Sequence, residues 1–380
     1  MSAPDLSFST EEYRARLDGV RAAMRQAGLG ALIVDEIEAM TYFSGYGVSD
    51  TLWRTLVVPL EQAPFLMVRS LDAAPARTRT WLEVMVYRDW SDPIDALVAE
   101  MARRGLASGR IGLDFDSPSM PVGRFNRLAA KLIGVRLEDF GRAIRAPRVR
   151  KSAAEIAYLQ RAAEIADAAM IEAIAAVRPG GRHREVAAAA ARTYIEQGAD
   201  DGLVGPLSAG SNWDSLHGYQ NDSPLAEGAI VHIELVPRVR DYSSRLMRSV
   251  VVGTPTPEQR DVMASLAELQ DRQIAALVPG ALAREVDSVL RQPMIASGLR
   301  PSYDNVTGYT LGAYPYPTLR ISDFDHCLTP AGNWTVEAGM AMHIYASARG
   351  LALSETVLVT EDGPRLLTRT QRRLFSTGEA

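Results

Sequence analysis

One cysteine, Cys327, and two lysines, Lys131 and Lys151, are all that the 380 residues contain of those types. A lone cysteine excludes an internal disulfide and any cysteine-rich zinc site, and it fits a reducing compartment. Scarce lysine leaves nearly every cationic contact to arginine, whose planar fork is permanently charged. Basic residues number 41 against 46 acidic, a net charge of −5, so no basic footprint for nucleic acid exists. No stretch approaches the ~20 uninterrupted apolar residues of a membrane helix. The first residues, MSAPDLSFSTEEY, hold neither a basic nor an apolar leader segment, and a cytoplasmic protein is expected. What remains is ordinary: 47% hydrophobic and 23% charged residues. That is the balance of a soluble globular chain with an ample core, long enough for two or three domains.

The chain opens with α/β alternation. Ser9 and Glu12 make a capping-box pattern, and Tyr13, Leu17, Val20 and Met24 follow at helical spacing up to Gly28. Strands at 31–34, 56–60, 65–68 and 110–114, with a helix at 94–104, predict a small layered α/β domain over residues 1–145. The arginine-rich stretch GRAIRAPRVRKS, 141–152, reads as a linker into a second domain, 146–380. There Ser152 and Glu155 open a long amphipathic helix that ends at Pro179-Gly-Gly, and a second helix spans 183–197. Strands at 229–236 and 242–252 follow, and Thr256-Pro257 starts another helix. The octet PGGRHREV at 179–186 recurs as PGALAREV at 279–286. Each copy leads to a strand containing His-Ile: Val231-His-Ile-Glu234 and Met342-His-Ile-Tyr345. Two helix–helix–strand halves predict a pseudo-symmetric α+β domain with a site between them.

Five histidines are available for chemistry. His183, beside arginines at a helix start, and His326, in a polar loop, read as exposed. His217 lies in the irregular stretch 211–219 ahead of a strand, where either a site base or a surface histidine would sit. His232 and Glu234 alternate along one strand, with Tyr242 on its partner; His343 and Tyr345 repeat the pattern. Glu355 precedes a strongly apolar run. A carboxylate among apolar strands costs on the order of several kcal/mol unless paired or protonated. Glu234 and Glu355 are therefore either tuned site groups or structural partners of Arg245, Arg248 or Arg320.

These residues resemble the creatinase/aminopeptidase P/prolidase superfamily over essentially the full length. The resemblance rests on Lys151-Ser-Ala-Ala-Glu-Ile156, His217 with Asn221-Asp-Ser-Pro224, and Arg248-Ser-Val-Val-Val-Gly253. It rests also on Gly339-Met340 and Glu355-Thr-Val-Leu-Val-Thr-Glu-Asp-Gly363. It implies a pita-bread α+β catalytic domain behind a smaller creatinase-type α/β domain. Metallopeptidases of the superfamily hold two divalent metals through two aspartates, a histidine and two glutamates. Matched motif by motif, those positions hold Glu234, Arg245, Tyr309, Tyr345 and Ser354, the last becoming Glu355 if the alignment slips by one. Arginine cannot ligate a cation, and tyrosine replaces histidine and glutamate poorly, so no metal and no other cofactor is expected.

The metal-free members, creatinase and ectoine hydrolase, hydrolyse C–N bonds. The ectoine hydrolase pattern is the nearer: His217, Glu234, Arg248, Tyr309 in Gly308-Tyr-Thr-Leu-Gly312, Tyr314-Pro315, His343 and Glu355 all match it. The resemblance implies a hydrolase of a small cyclic amidine or amide. His217 would move the proton, Glu234 and Glu355 would hold an amidinium, and Tyr309 and His343 would donate at the reacting carbon. Arg245, or Arg320, would clamp a carboxylate, with Tyr242 and Tyr345 lining the site. It implies a homodimer as well, in which the loop from Gly45 to Arg54, with Tyr46 and Trp53 exposed, reaches the other chain's site. Competing readings are a metallopeptidase with unusual ligands and an inactive domain that binds peptide or protein.

Overall fold

The computed structural model describes residues 4–47, 52–210, 216–217, 222–315 and 326–378. The chain divides into two compact units. The first takes residues 1–149 and a short segment beginning at Ala313, and the second takes the remainder.

In the first unit the elements run α1 (Thr10–Ala27), β1 (Ala31–Val34), α2 (Ile37–Ser44), β2 (Thr55–Pro59), β3 (Phe65–Arg69), α3 (Ala73–Arg79) and β4 (Glu83–Tyr87). Then come α4 (Pro93–Arg103), β5 (Gly109–Leu113), α5 (Val122–Lys131), β6 (Val135–Asp139) and α6 (Gly141–Arg145). Ser9 caps α1 by accepting from the Glu12 N–H at 3.2 Å, and Gly28 ends it at φ +68. The six strands form one mixed sheet in the order β4-β3-β2-β1-β5-β6. Strand alternation sends Leu32, Val34, Leu56 and Leu66 into one core with α1 and α2, and Ile33, Val57, Phe65 and Ile111 into another with α4 and α5. A three-layer α/β domain results.

Two expectations for this unit are corrected. Tyr46 and Trp53 are core residues, not exposed loop aromatics: Tyr46 is fully buried, and the Trp53 indole N–H donates to Asp35 at 2.9 Å. The arginine-rich stretch is no open linker either. Arg148 is buried and paired with both Glu36 and Glu38, which carries the first unit four residues past the expected boundary.

The second unit begins with α7 (Ala153–Ala176), α8 (His183–Gln197), β7 (Leu207–Gly210), β8 (Ile230–Leu235), β9 (Arg238–Val239), β10 (Tyr242–Ser243) and β11 (Leu246–Val251). Its other half holds α9 (Pro257–Ala275), α10 (Ala283–Ala296), β12 (Gly308–Thr310), β13 (Cys327–Leu328), β14 (Ala341–Ala348) and β15 (Leu351–Thr360), followed by β16 (Gly363–Leu366) and β17 (Phe375–Ser376). Reciprocal capping boxes start α7 at Ser152/Glu155 and α9 at Thr256/Gln259. The main sheet runs β13-β12-β14-β15-β11-β8-β7. The two halves match in detail. α8 and α10 start at His183 and Ala283, as the repeated octet predicts, and the hairpins β8–β11 and β14–β15 are both antiparallel. Ile233, Leu235, Leu246 and Val250 pack with α7 and α8, while Ala346 and Leu353 pack with α9 and α10. The helices thus cover one face of the sheet. His183, read as exposed, is buried at the start of α8.

Candidate active site

Register decides which side chains share the other face. Glu234 on β8 opposes Met247 on β11, Met247 opposes Ser354 on β15, and Ser354 opposes Tyr345 on β14. Side chains directly opposite one another stand on the same side of a sheet. Two residues along, His343 on β14 opposes Tyr309 on β12 and faces the same way. Arg245, immediately before β11, reaches back into this group. Its Nη1 donates to Glu234 Oε1 at 2.7 Å, and its guanidinium lies 5.6 Å from the centre of the Tyr309 ring. The His343 ring meets Tyr309 edge-on at 5.1 Å and stacks on Tyr345 at 5.3 Å.

Glu234, Arg245, Tyr309 and His343 are buried, and Tyr345 is half-buried. Burial drives His343 well below the usual imidazole range, and the Arg245 charge adds to it. Burial likewise raises the Tyr345 hydroxyl. At neutral pH His343 is therefore an uncharged imidazole offering one donor and one acceptor. Neither of its ring nitrogens, nor Ser354 Oγ, has a hydrogen-bond partner among the described residues. A buried ion pair thus sits beside unmet neutral polar groups. Such a site can hold a dipolar ligand and polarise it in a low dielectric.

The other expected residues fall elsewhere. Glu355 does not belong to this face: one residue on from Ser354, it points to the opposite side. There its Oε1 accepts from Arg248 Nη2 at 2.6 Å, and it pairs with Thr368. The Tyr242 hydroxyl donates to Glu155 at 2.9 Å, and its ring stacks on Tyr158 of α7. Tyr46 and Trp53 belong to the core of the first unit, and Arg320 lies outside the described residues. His217 is exposed in a short turn, close enough to His232 for the two charges to oppose each other. His232, which the sequence reading left out of the site, shares this face. It is buried on β8, two residues before Glu234 and on the same face, and neither of its nitrogens has a hydrogen-bond partner among the described residues. The His-Ile echo between the halves was the signal that could have found it.

The positions that hold two metals in the resembling peptidases do not fit metal here. Arg245 brings a permanent cation to a ligand position and spends it on Glu234; Tyr309, Tyr345 and Ser354 offer no carboxylate or imidazole. Among the described residues no three His, Cys, Asp or Glu side chains converge as a ligand set.

Comparison with known proteins agrees with the two-domain fold. The model of metallopeptidase family M24 matches residues 157–361, and that of the creatinase/prolidase N-terminal domain matches residues 16–150. The chain is 32% identical to the Xaa-Pro dipeptidase of Pyrococcus furiosus over 230 residues, covering 60% of this chain and 65% of that protein. It is 25% identical to the ectoine hydrolase of Halomonas elongata over 97% of this chain and 98% of that one. Among solved structures, the recombinant prolidase of Thermococcus sibiricus superposes with a TM-score of 0.84 at 22% identity, covering 97% of this chain and all of that one.

Proposed function

The chain belongs to metallopeptidase family M24 and has the family's pita-bread domain behind a creatinase-type N-terminal domain; from that premise we propose that it is a metal-independent hydrolase of a C–N bond in a small zwitterionic cyclic amidine or amide. The observation that supports this most is the Glu234–Arg245 pair, 2.7 Å apart where the resembling peptidases hold metal. An ion pair is the complement of a zwitterion. Each partner can exchange its mate for a substrate charge, Glu234 taking the amidinium and Arg245 the carboxylate in a bidentate grip. Glu234 does this alone, since Glu355 faces away.

Hydrolysis then needs an activated water, a stabilised tetrahedral carbon and a proton for the leaving nitrogen. His217 takes a proton from water as its oxygen bonds to the amidine carbon. Tyr309 and neutral His343 supply hydrogen bonds at that carbon. His217 returns the proton to the ring nitrogen as the C–N bond breaks, and the ring opens to an amino-amide. General acid–base help of this kind is worth about 10²–10⁴ in rate.

A panel of ectoine, hydroxyectoine, creatine and Xaa-Pro dipeptides, offered to chelator-dialysed protein and read by mass spectrometry, tests the reading. Ring opening of a cyclic amidine supports it. The Xaa-Pro dipeptides represent the second reading, which the identity to the Pyrococcus furiosus dipeptidase favours. Cleavage of those dipeptides alone, and only with divalent metal restored, would replace the first reading by the second. We also propose a homodimer; light scattering should return about twice the 41.4 kDa chain mass, and a monomer at micromolar concentration would refute it.

A further inference from the structure

One buried polar pair on the site face has no part in the reaction above. His232 on β8 stands directly opposite Ser208 on β7, and both are at least nine-tenths buried. The two ring nitrogens of His232 and the Oγ of Ser208 have no hydrogen-bond partner among the described residues. Ser249, opposite His232 on β11, is already engaged: its Oγ donates to the Ala352 carbonyl and accepts from the Ala352 N–H. Buried polar atoms are nearly always satisfied, so three unmet ones in a single cross-strand pair mark a place that a ligand or solvent completes.

The charges around the pair favour a neutral guest. Glu234, two residues along β8, is held by Arg245. Burial pushes the His232 imidazole down to about 4, with Glu234 opposing the shift and His217 adding to it. At neutral pH the ring therefore offers one donor and one acceptor, and the serine hydroxyl adds whichever is needed. The second half of the sheet repeats the arrangement, with neutral His343 standing opposite Tyr309.

The geometry points to a recognition subsite, formed by His232 and Ser208, for an uncharged group that both donates and accepts hydrogen bonds: a carboxamide or urea carried by the substrate. That this group belongs to a substrate rests on the hydrolase reading; the subsite's preference for neutral groups can be measured without turnover. Full-length protein labelled with 15N-histidine is titrated at pH 7 with acetamide and urea, and with acetate and methylammonium as charged controls. The His232 ring signals are identified by their disappearance in His232→Gln. Acetamide and urea should move those signals saturably and at lower concentration than the charged probes, and Ser208→Ala should weaken the acetamide response about fivefold, the loss of one hydrogen bond. Failure of both neutral probes to move the His232 signals would mean that solvent alone fills the pair and would overturn the subsite. An equal response to acetate or methylammonium would overturn its neutral character. Absence of ectoine turnover with the acetamide response intact would count against the hydrolase reading alone.

Discussion

Two arginine–carboxylate pairs lie on opposite faces of one sheet, built from neighbouring residues. Arg248–Glu355 faces the covering helices at 2.6 Å, and Arg245–Glu234 faces the other way at 2.7 Å. Distance and burial scarcely separate them; their surroundings do. Arg248 also donates to the carbonyls of Met247, Ser354, Thr370 and Gln371, which ties the segment between β16 and β17 to the sheet, and Glu355 is further held by Thr368. Arg245–Glu234 instead borders His343, His232 and Ser354, whose side chains have no hydrogen-bond partner among the described residues, and the Tyr309 ring. A buried pair saturated by backbone holds structure, whereas one beside unmet polar groups is placed to exchange partners with a ligand.

The largest expected effect separates the pairs by stability. Arg248→Met strands Glu355 in the core and should cost about 3–5 kcal/mol, read as a lower unfolding midpoint in urea. The variant should keep the KM of whatever fraction stays folded. A variant as stable as the parent would show that the two pairs are not distinguished by structural role.

Next in size is a loss of rate. His217→Ala should lower kcat by about 10²-fold, with a stability change within about 0.5 kcal/mol because the side chain is exposed. Glu234→Gln should act on the other parameter, raising KM for a cationic or zwitterionic substrate while the fold survives. Near-normal turnover by His217→Ala would move the proton-transfer role to Tyr309 or His343.

A smaller effect follows pH. His232 has a folded value of about 4, below the ~6.5 of an unfolded chain. Its contribution to stability is therefore complete above pH 6.5 and is lost as pH falls toward 4, because the unfolded state binds the proton first. The slope is about 1.4 kcal/mol per pH unit for each such histidine. His343 shifts in the same direction. Urea unfolding of the parent and of His232→Gln between pH 7 and 5 should show a shallower pH dependence in the variant; parallel curves would contradict the buried neutral imidazole.

Much of this architecture was legible from local chemistry. Ser9, Ser152 and Thr256 cap the helices their patterns predict, and the repeated octet places α8 and α10 a hundred residues apart. The site was legible only by halves. Glu234, Arg245, Tyr309, His343 and Tyr345 do gather on one face, but Glu355 does not. A strand has a period of two, so a slip of one residue between Ser354 and Glu355 moves a side chain through the sheet. The pairings of Ser354 with Met247 and with Tyr345 fix that parity. Tyr46 and Trp53 failed for another reason. Their loop reads as polar and exposed, yet Trp53 is buried through a partner, Asp35, that lies 18 residues away in sequence.

Metal content tests the role assigned to the Glu234–Arg245 pair most directly. Elemental analysis of the purified chain, followed by calorimetric titration with manganese, cobalt and zinc, should find no stoichiometric divalent ion and no saturable binding dependent on Glu234. Hydrolysis of the accepted substrate should be unchanged after dialysis against a chelator. Two divalent ions per chain, lost with activity on chelation and restored with it, would contradict the exchange of a metal site for an internal ion pair.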